Sequence, residues 1–161
     1  MCLSKRFRNS LLACFLFYTG TVMAQATGVH ISFVQTVNNA KLLANSGQAN
    51  QYTLTLYGVN PYITYYFDRP SRSTGLATIK GFVAAWDVGS NSFAVNNPNA
   101  ILYAGEVNGQ NNLGQTAYVV QLSNPRYDLV QNQMTYSVTP LGKEGFILNE
   151  LDLTDAVLVI N

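Results

Sequence analysis

The chain has 161 residues, with nine Lys and Arg, eight Asp and Glu and one His, and its formal net charge is +1. A charge so close to neutral argues against proteins that bind nucleic acid or anionic membranes, because both functions depend on basic patches. Most of the polar residues are Asn, Gln, Ser and Thr, which favour turns and are compatible with contacts to sugars or peptides.

The first 24 residues have the pattern of a secretory signal peptide. A basic head precedes an apolar run at residues 11–17, and Val22-Met23-Ala24 then offers the small residue that signal peptidase requires. The run is too short to span a bilayer. We therefore predict cleavage after Ala24, with a second frame two residues later, and a secreted or periplasmic protein. Cys14 follows a lipoprotein-like sequence, but only five residues separate it from Arg8, which is too few for the apolar region of a lipoprotein signal.

Cleavage after Ala24 leaves a single domain, residues 25–161. Both cysteines, Cys2 and Cys14, lie in the predicted signal peptide, so we expect the domain to fold without a disulfide bond. The three basic residues of the signal are also lost, which leaves six basic and eight acidic residues and a net charge of −2. We expect no membrane span in this domain, no nucleic-acid partner and no cofactor.

Alternation of apolar and polar residues predicts a mainly β domain. Strand-like segments occur at residues 29–37, 40–43, 51–58, 62–67, 100–107, 117–122, 133–139 and 156–160. Turn signals recur about every ten residues, among them Asn38-Asn39, residues 71–75 and Asn124-Pro125-Arg126. This pattern predicts an antiparallel, immunoglobulin-like β-sandwich, with a closed small barrel as the alternative. A parallel α/β fold is excluded because only one helix is available as a crossover.

That helix is predicted at residues 79–88. Thr78 is a suitable N-cap, Phe82 and Trp86 are one helical turn apart, and Gly89 is placed to end the helix. Phe82 and Trp86 are expected to fill the core, with a ligand platform as the lesser alternative. An amphipathic stripe of this kind must be covered, so Trp86 is expected to be mostly buried, with the helix over one edge or end of the sheets.

The central block of the chain resembles a family of uncharacterised secreted bacterial proteins. The matching motifs are Phe67-Asp68-Arg69-Pro70-Ser71-Arg72, then Phe82 and Trp86, Gly89, Ser92-Phe93 and Pro98-Asn99-Ala100. Weaker matches follow at residues 122–127, 136–138 and 157–160. In the family one residue stands between the Phe and the Asp of the first motif, whereas here Phe67 directly precedes Asp68. The resemblance implies export and a compact β domain, and it implies no activity.

The sequence offers little for catalysis. The predicted domain contains one His, His30, no Cys and no G-x-S-x-G motif, which argues against nucleophilic hydrolysis and against zinc. Glycoside hydrolysis needs two facing carboxylates, and no spacing selects a pair among Asp68, Asp87, Glu106 and Asp128. Glu150, Asp152 and Asp155 are expected to form a solvated acidic turn, and a calcium site there is the lesser alternative.

The best candidate for recognition is the loop that begins at Asp68. Arg69 and Arg72 carry guanidinium groups that suit a carboxylate or phosphate, and Tyr65 and Tyr66 offer a stacking surface. The favoured interpretation is structural, with Asp68 tying the loop down and the aromatic residues filling the core. The functional hypothesis is an exported, non-enzymatic protein that binds a peptide, glycan or envelope partner. A structural or self-associating envelope protein is the alternative, and a carboxylate-dependent hydrolase is a weaker one.

Overall fold

The computed structural model describes residues 30–68, 72–107, 113–142 and 150–161. In these residues it contains eight strands and one helix, so the prediction of a mainly β protein with one short helix is confirmed. The elements are β1 (Ile31–Ala44), β2 (Tyr52–Tyr57), β3 (Tyr62–Phe67), β4 (Ser73–Thr78), α1 (Ile79–Ala85), β5 (Asn99–Val107), β6 (Leu113–Asp128), β7 (Gln133–Pro140) and β8 (Glu150–Ile160).

Six of the described strands close into a barrel. They pair in the order β2-β7-β6-β5-β8-β1, and β1 pairs with β2 to complete the ring. All of these pairings are antiparallel. The ring is therefore described by the predicted alternative of a closed small barrel and not clearly by the two-sheet sandwich. Period-two patterns do not distinguish the two, because a barrel and a sandwich both bury alternate residues.

The hairpin of β3 and β4 leaves the barrel at one end. β1 pairs with β2 from Asn39 to Ala44 and with β3 from Ile31 to Val34, so that β2 and β3 follow one another along the same side of β1. Between them the chain turns at Gly58, which has a φ of 62°. Beyond this turn β3 pairs with β4, whereas β2 pairs with β7. The predicted flexible loop at residues 71–75 was thus wrong in its second half, where β4 begins at Ser73.

The barrel interior is filled by the inward residues of every strand. Its side chains are those expected from the alternation, such as Leu54, Leu102, Leu122, Met134 and Leu158, all at most 1% exposed. Strand β1 continues through the expected interruption at Asn38-Asn39, from Ile31 to Ala44, although Asn38 has no partner in its ladders with β2, β3 and β8. Asn39 pairs with Tyr57 on one side and Thr154 on the other, and this pairing overrides the weak strand preference of Asn.

Bulges replace the turn expected around Pro125. The pairing of β6 with β7 shifts between Ser123 and Arg126, so Asn124 and Pro125 face one residue, Tyr136. Asn124 has a φ of 51°, the left-handed conformation that Asn tolerates. Proline lacks an N–H and is accepted inside a strand at such a bulge.

Helix α1 and the segment after it cover the barrel end where the hairpin diverges. Thr78 is the N-cap, and its Oγ1 accepts a hydrogen bond from the N–H of Gly81 at 3.1 Å. The helix ends at Ala85, earlier than the predicted Val88, and a positive φ at Gly89 turns the chain back. Trp86 is 5% exposed, which confirms its predicted burial. Its ring lies 6.2 Å from that of Tyr136 on the barrel wall, measured between centroids.

Candidate functional site: a groove between the hairpin and the helix

The two faces of the hairpin carry different residues because strand side chains alternate. On β3, Ile63 is buried and Tyr65 is half-buried, whereas Tyr62 is 53% exposed and Tyr66 is 39% exposed. The face of Ile63 and Tyr65 turns towards the helix, and between them lies a groove. The hairpin thus presents an outer face to solvent and an inner face to this groove.

The hairpin groove, as we call it, has a volume of about 430 Å³ and is mostly apolar. The aliphatic and aromatic side chains along it are Ile31, Phe33, Tyr65, Phe67, Phe82, Trp86 and Phe93. They come from β1, β3, α1 and the segment that follows α1. Volume and lining both match those of ligand sites in proteins, which are mainly apolar with a few polar groups.

The aromatic rings of the groove pack against one another. The centroids of Phe33 and Phe82 are 4.8 Å apart and tilted by 57°, and those of Trp86 and Phe93 are 5.0 Å apart and tilted by 59°. Phe33 also meets Phe93 edge-on at 6.1 Å. Such tilted and edge contacts are the favoured geometries of aromatic pairs. The rings therefore support each other and hold the groove open without a ligand.

Small residues shape the remaining wall. Gly81 and Ala85 on the helix and Ala77 on β4 line the groove and leave space above them. Across the hairpin, Tyr65 pairs with Gly75, and a Cβ atom on Gly75 would lie 2.6 Å from Oη of Tyr65. The Tyr65 ring can occupy this place only because residue 75 has no side chain.

One polar group in the groove has an unused hydrogen-bonding capacity. Ser92 lines the groove and is 7% exposed, and its Oγ is buried without a hydrogen-bond partner among the described residues. Buried hydroxyl groups are usually paired because an unpaired one costs about 1–3 kcal/mol.

A second buried polar pair lies behind Trp86 in the barrel. The hydroxyl of Tyr136 donates to Oε1 of Gln35 at 3.0 Å, and Gln35 is 4% exposed. Its Nε2 has no hydrogen-bond partner within the described ranges. Burial raises the pKa of Tyr136, because the phenolate would lose its hydration. Tyr136 therefore stays a neutral donor.

The structure brings three of the five predicted site residues together. Tyr65 lines the hairpin groove, whereas Tyr66, Asp68 and Arg72 lie around a separate shallow cavity of about 380 Å³ at the hairpin tip. Asp68 and Arg72 are exposed, and the N–H of Asp68 donates to the carbonyl of His30 at 3.3 Å. Arg69 lies outside the described residues. The alternation of β3 separates Tyr65 from Tyr66, so adjacent Tyr residues cannot form one stacking surface.

Three residues of the groove were missed as site candidates. The alternation of β1 placed Phe33 among buried residues, and the resemblance motif contains Ser92-Phe93 without assigning either a role. The sequence signals for the groove were Tyr65 in the proposed stacking surface and the alternative of a ligand platform at Phe82 and Trp86. Contacts between β1, β3 and the segment after α1 depend on the tertiary fold, which local patterns do not specify.

Two of the acidic residues considered for chemistry have local structural partners. Asp128 accepts hydrogen bonds from the N–H groups of Val130 and Gln131 at 2.8 and 3.0 Å, and so closes the turn after β6. Glu106 accepts one from the hydroxyl of Tyr118, and burial together with Glu106 raises the pKa of Tyr118 to about 12.

The acidic residues 150, 152 and 155 lie along strand β8 and not in a turn. Glu150 and Asp152 both pair with Lys41, whose pKa is raised by the Glu150 contact and, to a smaller extent, by the charge of Asp152. Asp155 has a φ of 49° and lies where the pairing of β8 with β5 shifts register. Among the described residues no three His, Cys, Asp or Glu side chains form a group suited to a metal ion.

Comparisons with protein-family models, with curated proteins and with solved structures found no match. The resemblance of the central block thus stays a prediction. The predicted signal peptide, residues 1–24, lies outside the described part of the chain. Within that part no helix is long and apolar enough to cross a membrane.

Proposed function

We propose that the protein is an exported, non-enzymatic binding protein that holds a peptide, a glycan or another envelope component in the hairpin groove. One observation carries this proposal: an apolar groove of about 430 Å³ is lined by aromatic side chains from β1, β3, α1 and the segment after α1. Aromatic side chains give a large contact area, and ligand sites in proteins are mainly apolar.

The chemistry of the lining favours binding over catalysis. Tyr65 is the one ionisable side chain among the described residues that line the groove. General acid–base catalysis most often uses His, Asp, Glu or Lys, and none of these lines the groove among the described residues. A hydrolase built on two carboxylates has no pair in the groove and is the weakest of the three hypotheses.

We keep Asp68, Arg69 and Arg72 as proposed contact residues. Arg72 is exposed next to Tyr66 at the hairpin tip and suits contact with a polar part of a partner. Asp68→Ala and Arg69→Ala are expected to lower the melting temperature, and Arg72→Ala to weaken binding with normal melting. Normal melting with lost binding in all three would make the whole loop a recognition site.

Filling the groove tests the proposal directly. Ala85 lines the groove, whereas its neighbour Ala84 is exposed on another side of α1 and does not. We expect the wild-type protein to bind some members of a peptide or glycan array. Ala85→Trp should abolish this binding, and Ala84→Trp should leave it unchanged. Equal binding by both variants, or no bound member, would contradict the proposal. A turnover screen on the same purified protein would identify a hydrolase.

A self-associating envelope protein is the second candidate, because β4 ends the sheet and has a strand neighbour on one side only in the described residues. Exposed edges of this kind template further strands. Sedimentation of the purified protein over a range of concentrations separates the candidates, since self-association through β4 predicts a mass that rises with concentration.

The intact mass of the purified protein tests export. The expected result is a chain that begins at Gln25 and carries no lipid on Cys14.

A further inference from the structure

Within the described part of the chain, β4 has a free edge with a defined set of unpaired backbone groups. The N–H of Ile79 donates to the carbonyl of Pro61 at 3.0 Å, in step with the ladder that pairs Thr78 with Tyr62. Hydrogen-bonded and non-hydrogen-bonded pairs alternate along an antiparallel ladder. Ser73, Gly75 and Ala77 therefore form the backbone hydrogen bonds with β3.

It follows that Thr74 and Leu76 direct their N–H and C=O groups away from β3. The opposite edge of β3 agrees with this alternation. There the N–H of Asp68 donates to the carbonyl of His30, so the even-numbered residues of β3 form their backbone hydrogen bonds with β1. The odd-numbered residues of β3 are then left for β4. The edge is thus equipped to bond one further strand through Thr74 and Leu76.

This edge lacks the usual features that prevent strand addition. Protein edges are commonly blocked by Pro, by charged residues or by bulges. β4 has the sequence Ser-Thr-Gly-Leu-Ala-Thr, pairs with β3 in unbroken register, and leaves Leu76 65% exposed. In the closed barrel of described strands, by contrast, each strand has a neighbour on both sides.

The edge is continuous with the hairpin groove. Ala77 lines the groove, and Gly75 and Ser73 share its face of the strand because side chains alternate. A strand added to β4 would place every second side chain beside these three small residues. Such side chains can reach the rings of Tyr65 and Phe67, while the intervening ones lie beside Leu76 on the outer face.

The charges beside the edge favour an acidic partner over a second copy. β4 itself is uncharged, but the exposed Arg72 precedes it and the exposed Lys80 follows it. Asp68 lies across the hairpin from Arg72, on the strand away from the free edge. Two copies paired antiparallel around Leu76 would bring Arg72 of each towards Lys80 of the other, and like charges across strands are destabilising. Carboxylates at both ends of a strand from another protein would instead be attracted by Arg72 and Lys80.

We propose that β4 binds an extended peptide of another protein as an additional strand. The peptide has apolar residues at every second position, which enter the hairpin groove, and acidic residues at both ends, which face Arg72 and Lys80. This inference rests on the proposed binding function and names the class of partner. Recognition by strand addition takes affinity from main-chain hydrogen bonds and specificity from alternate side chains.

The probe for this proposal is a labelled, end-blocked peptide, Glu-Val-Ser-Phe-Ser-Val-Glu, titrated into the purified protein. Two control peptides replace both Glu by Lys or the Phe by Pro. We expect the Lys peptide to bind about tenfold more weakly, since each exposed ion pair is worth about two- to fivefold. The Pro peptide is expected not to bind. Amide hydrogen exchange at Thr74 and Leu76 should slow on binding, and that at Gly75 should change little.

Variants at residue 76 separate the backbone from the side chain. Leu76→Pro removes a donor that faces the free edge and spares the ladder to β3, so we expect near-normal melting and about tenfold weaker binding. Leu76→Thr keeps the donor and is expected to change binding less than threefold. The double variant Arg72→Glu and Lys80→Glu should reverse the preference, so that the Lys peptide binds more tightly than the Glu peptide.

Several results would overturn the inference. Equal affinity for the Glu and Lys peptides would refute the acidic partner. Unchanged exchange at Thr74 and Leu76 in the bound state would refute strand addition. Slowed exchange there on raising the protein concentration alone would assign the edge to a second copy. If Leu76→Pro bound normally while Ala85→Trp lost its ligand, the groove would remain a binding site and only the strand addition would fail.

Discussion

Strands β2 and β4 have the same length and opposite environments. Each has six residues, but β2 has neighbours on both sides and buries alternate residues in the barrel, whereas β4 has one neighbour and no buried residue. The difference follows from their sequences, since Tyr-Thr-Leu-Thr-Leu-Tyr supplies three large inward side chains and Ser-Thr-Gly-Leu-Ala-Thr supplies none. The ring thus holds most of the buried side chains, whereas β4 adds none to the core.

Trp86 connects the two regions, and its removal is expected to have the largest effect. Its ring contacts Phe82 and Phe93 in the groove and Tyr136 in the barrel. Trp86→Ala should lower the free energy of unfolding by about 3–5 kcal/mol, as for large aromatic residues in cores. Urea unfolding followed by circular dichroism measures this. An emission maximum typical of solvated indole in the folded wild-type protein, whose only Trp is Trp86, would contradict the argument.

Matched leucines test the contrast between the strands. Leu54 in β2 is fully buried and Leu76 in β4 is 65% exposed. Leu54→Ala is expected to cost about 2–5 kcal/mol, because it leaves a cavity in the barrel. Leu76→Ala is a surface change and should stay within about 0.5 kcal/mol. Similar losses from both substitutions would show that the hairpin shares the stability of the ring.

The buried hydrogen bond of Tyr136 should have a smaller effect. Tyr136→Phe keeps the ring and leaves Oε1 of Gln35 without the donor that it has in the structure. We expect a loss of about 1–3 kcal/mol, the cost of an unpaired buried polar group. The double variant Tyr136→Phe with Gln35→Leu serves as the control, since it removes both partners and should recover part of the loss. No recovery would indicate that the shape of Gln35 matters more than its hydrogen bond.

The smallest predicted effect concerns alkaline pH. The pKa of Tyr118 is raised to about 12 in the folded protein by burial and by Glu106, against about 10 in an unfolded chain. Its contribution to stability is therefore complete below pH 10 and is lost as the pH rises towards 12. Tyr118→Phe should make unfolding less steeply dependent on pH in this range, and Tyr62→Phe on the exposed face of the hairpin is the control. An unchanged slope in Tyr118→Phe would contradict the shift.

The sequence was informative where a residue pattern acts locally. Alternation located most strands, and the spacing of Thr78, Phe82 and Trp86 located the helix and the burial of its Trp. The closure of the barrel was harder to predict, because pairing of β1 with β2 and β8 depends on twist and register between distant segments. The sequence pointed to Tyr65, Phe82 and Trp86 in the groove, and the rest of the site was missed for a similar reason. Phe33 and Phe93 are far apart in sequence and meet only when β1 and the segment after α1 pack together.

Closure of the ring also affects how the protein folds. β8 lies between β1 and β5, and Ser32 on β1 donates to the side chain of Asn161, 129 positions later in the sequence. Contacts this distant in sequence carry a large loop-closure cost and slow folding. A growing chain cannot join β1 to β5 until Glu150–Ile160 has left the ribosome, so the barrel forms only after this strand has been synthesised. Until then β1 and β5 both lack a neighbour, and the nascent chain has two more open edges than the finished protein.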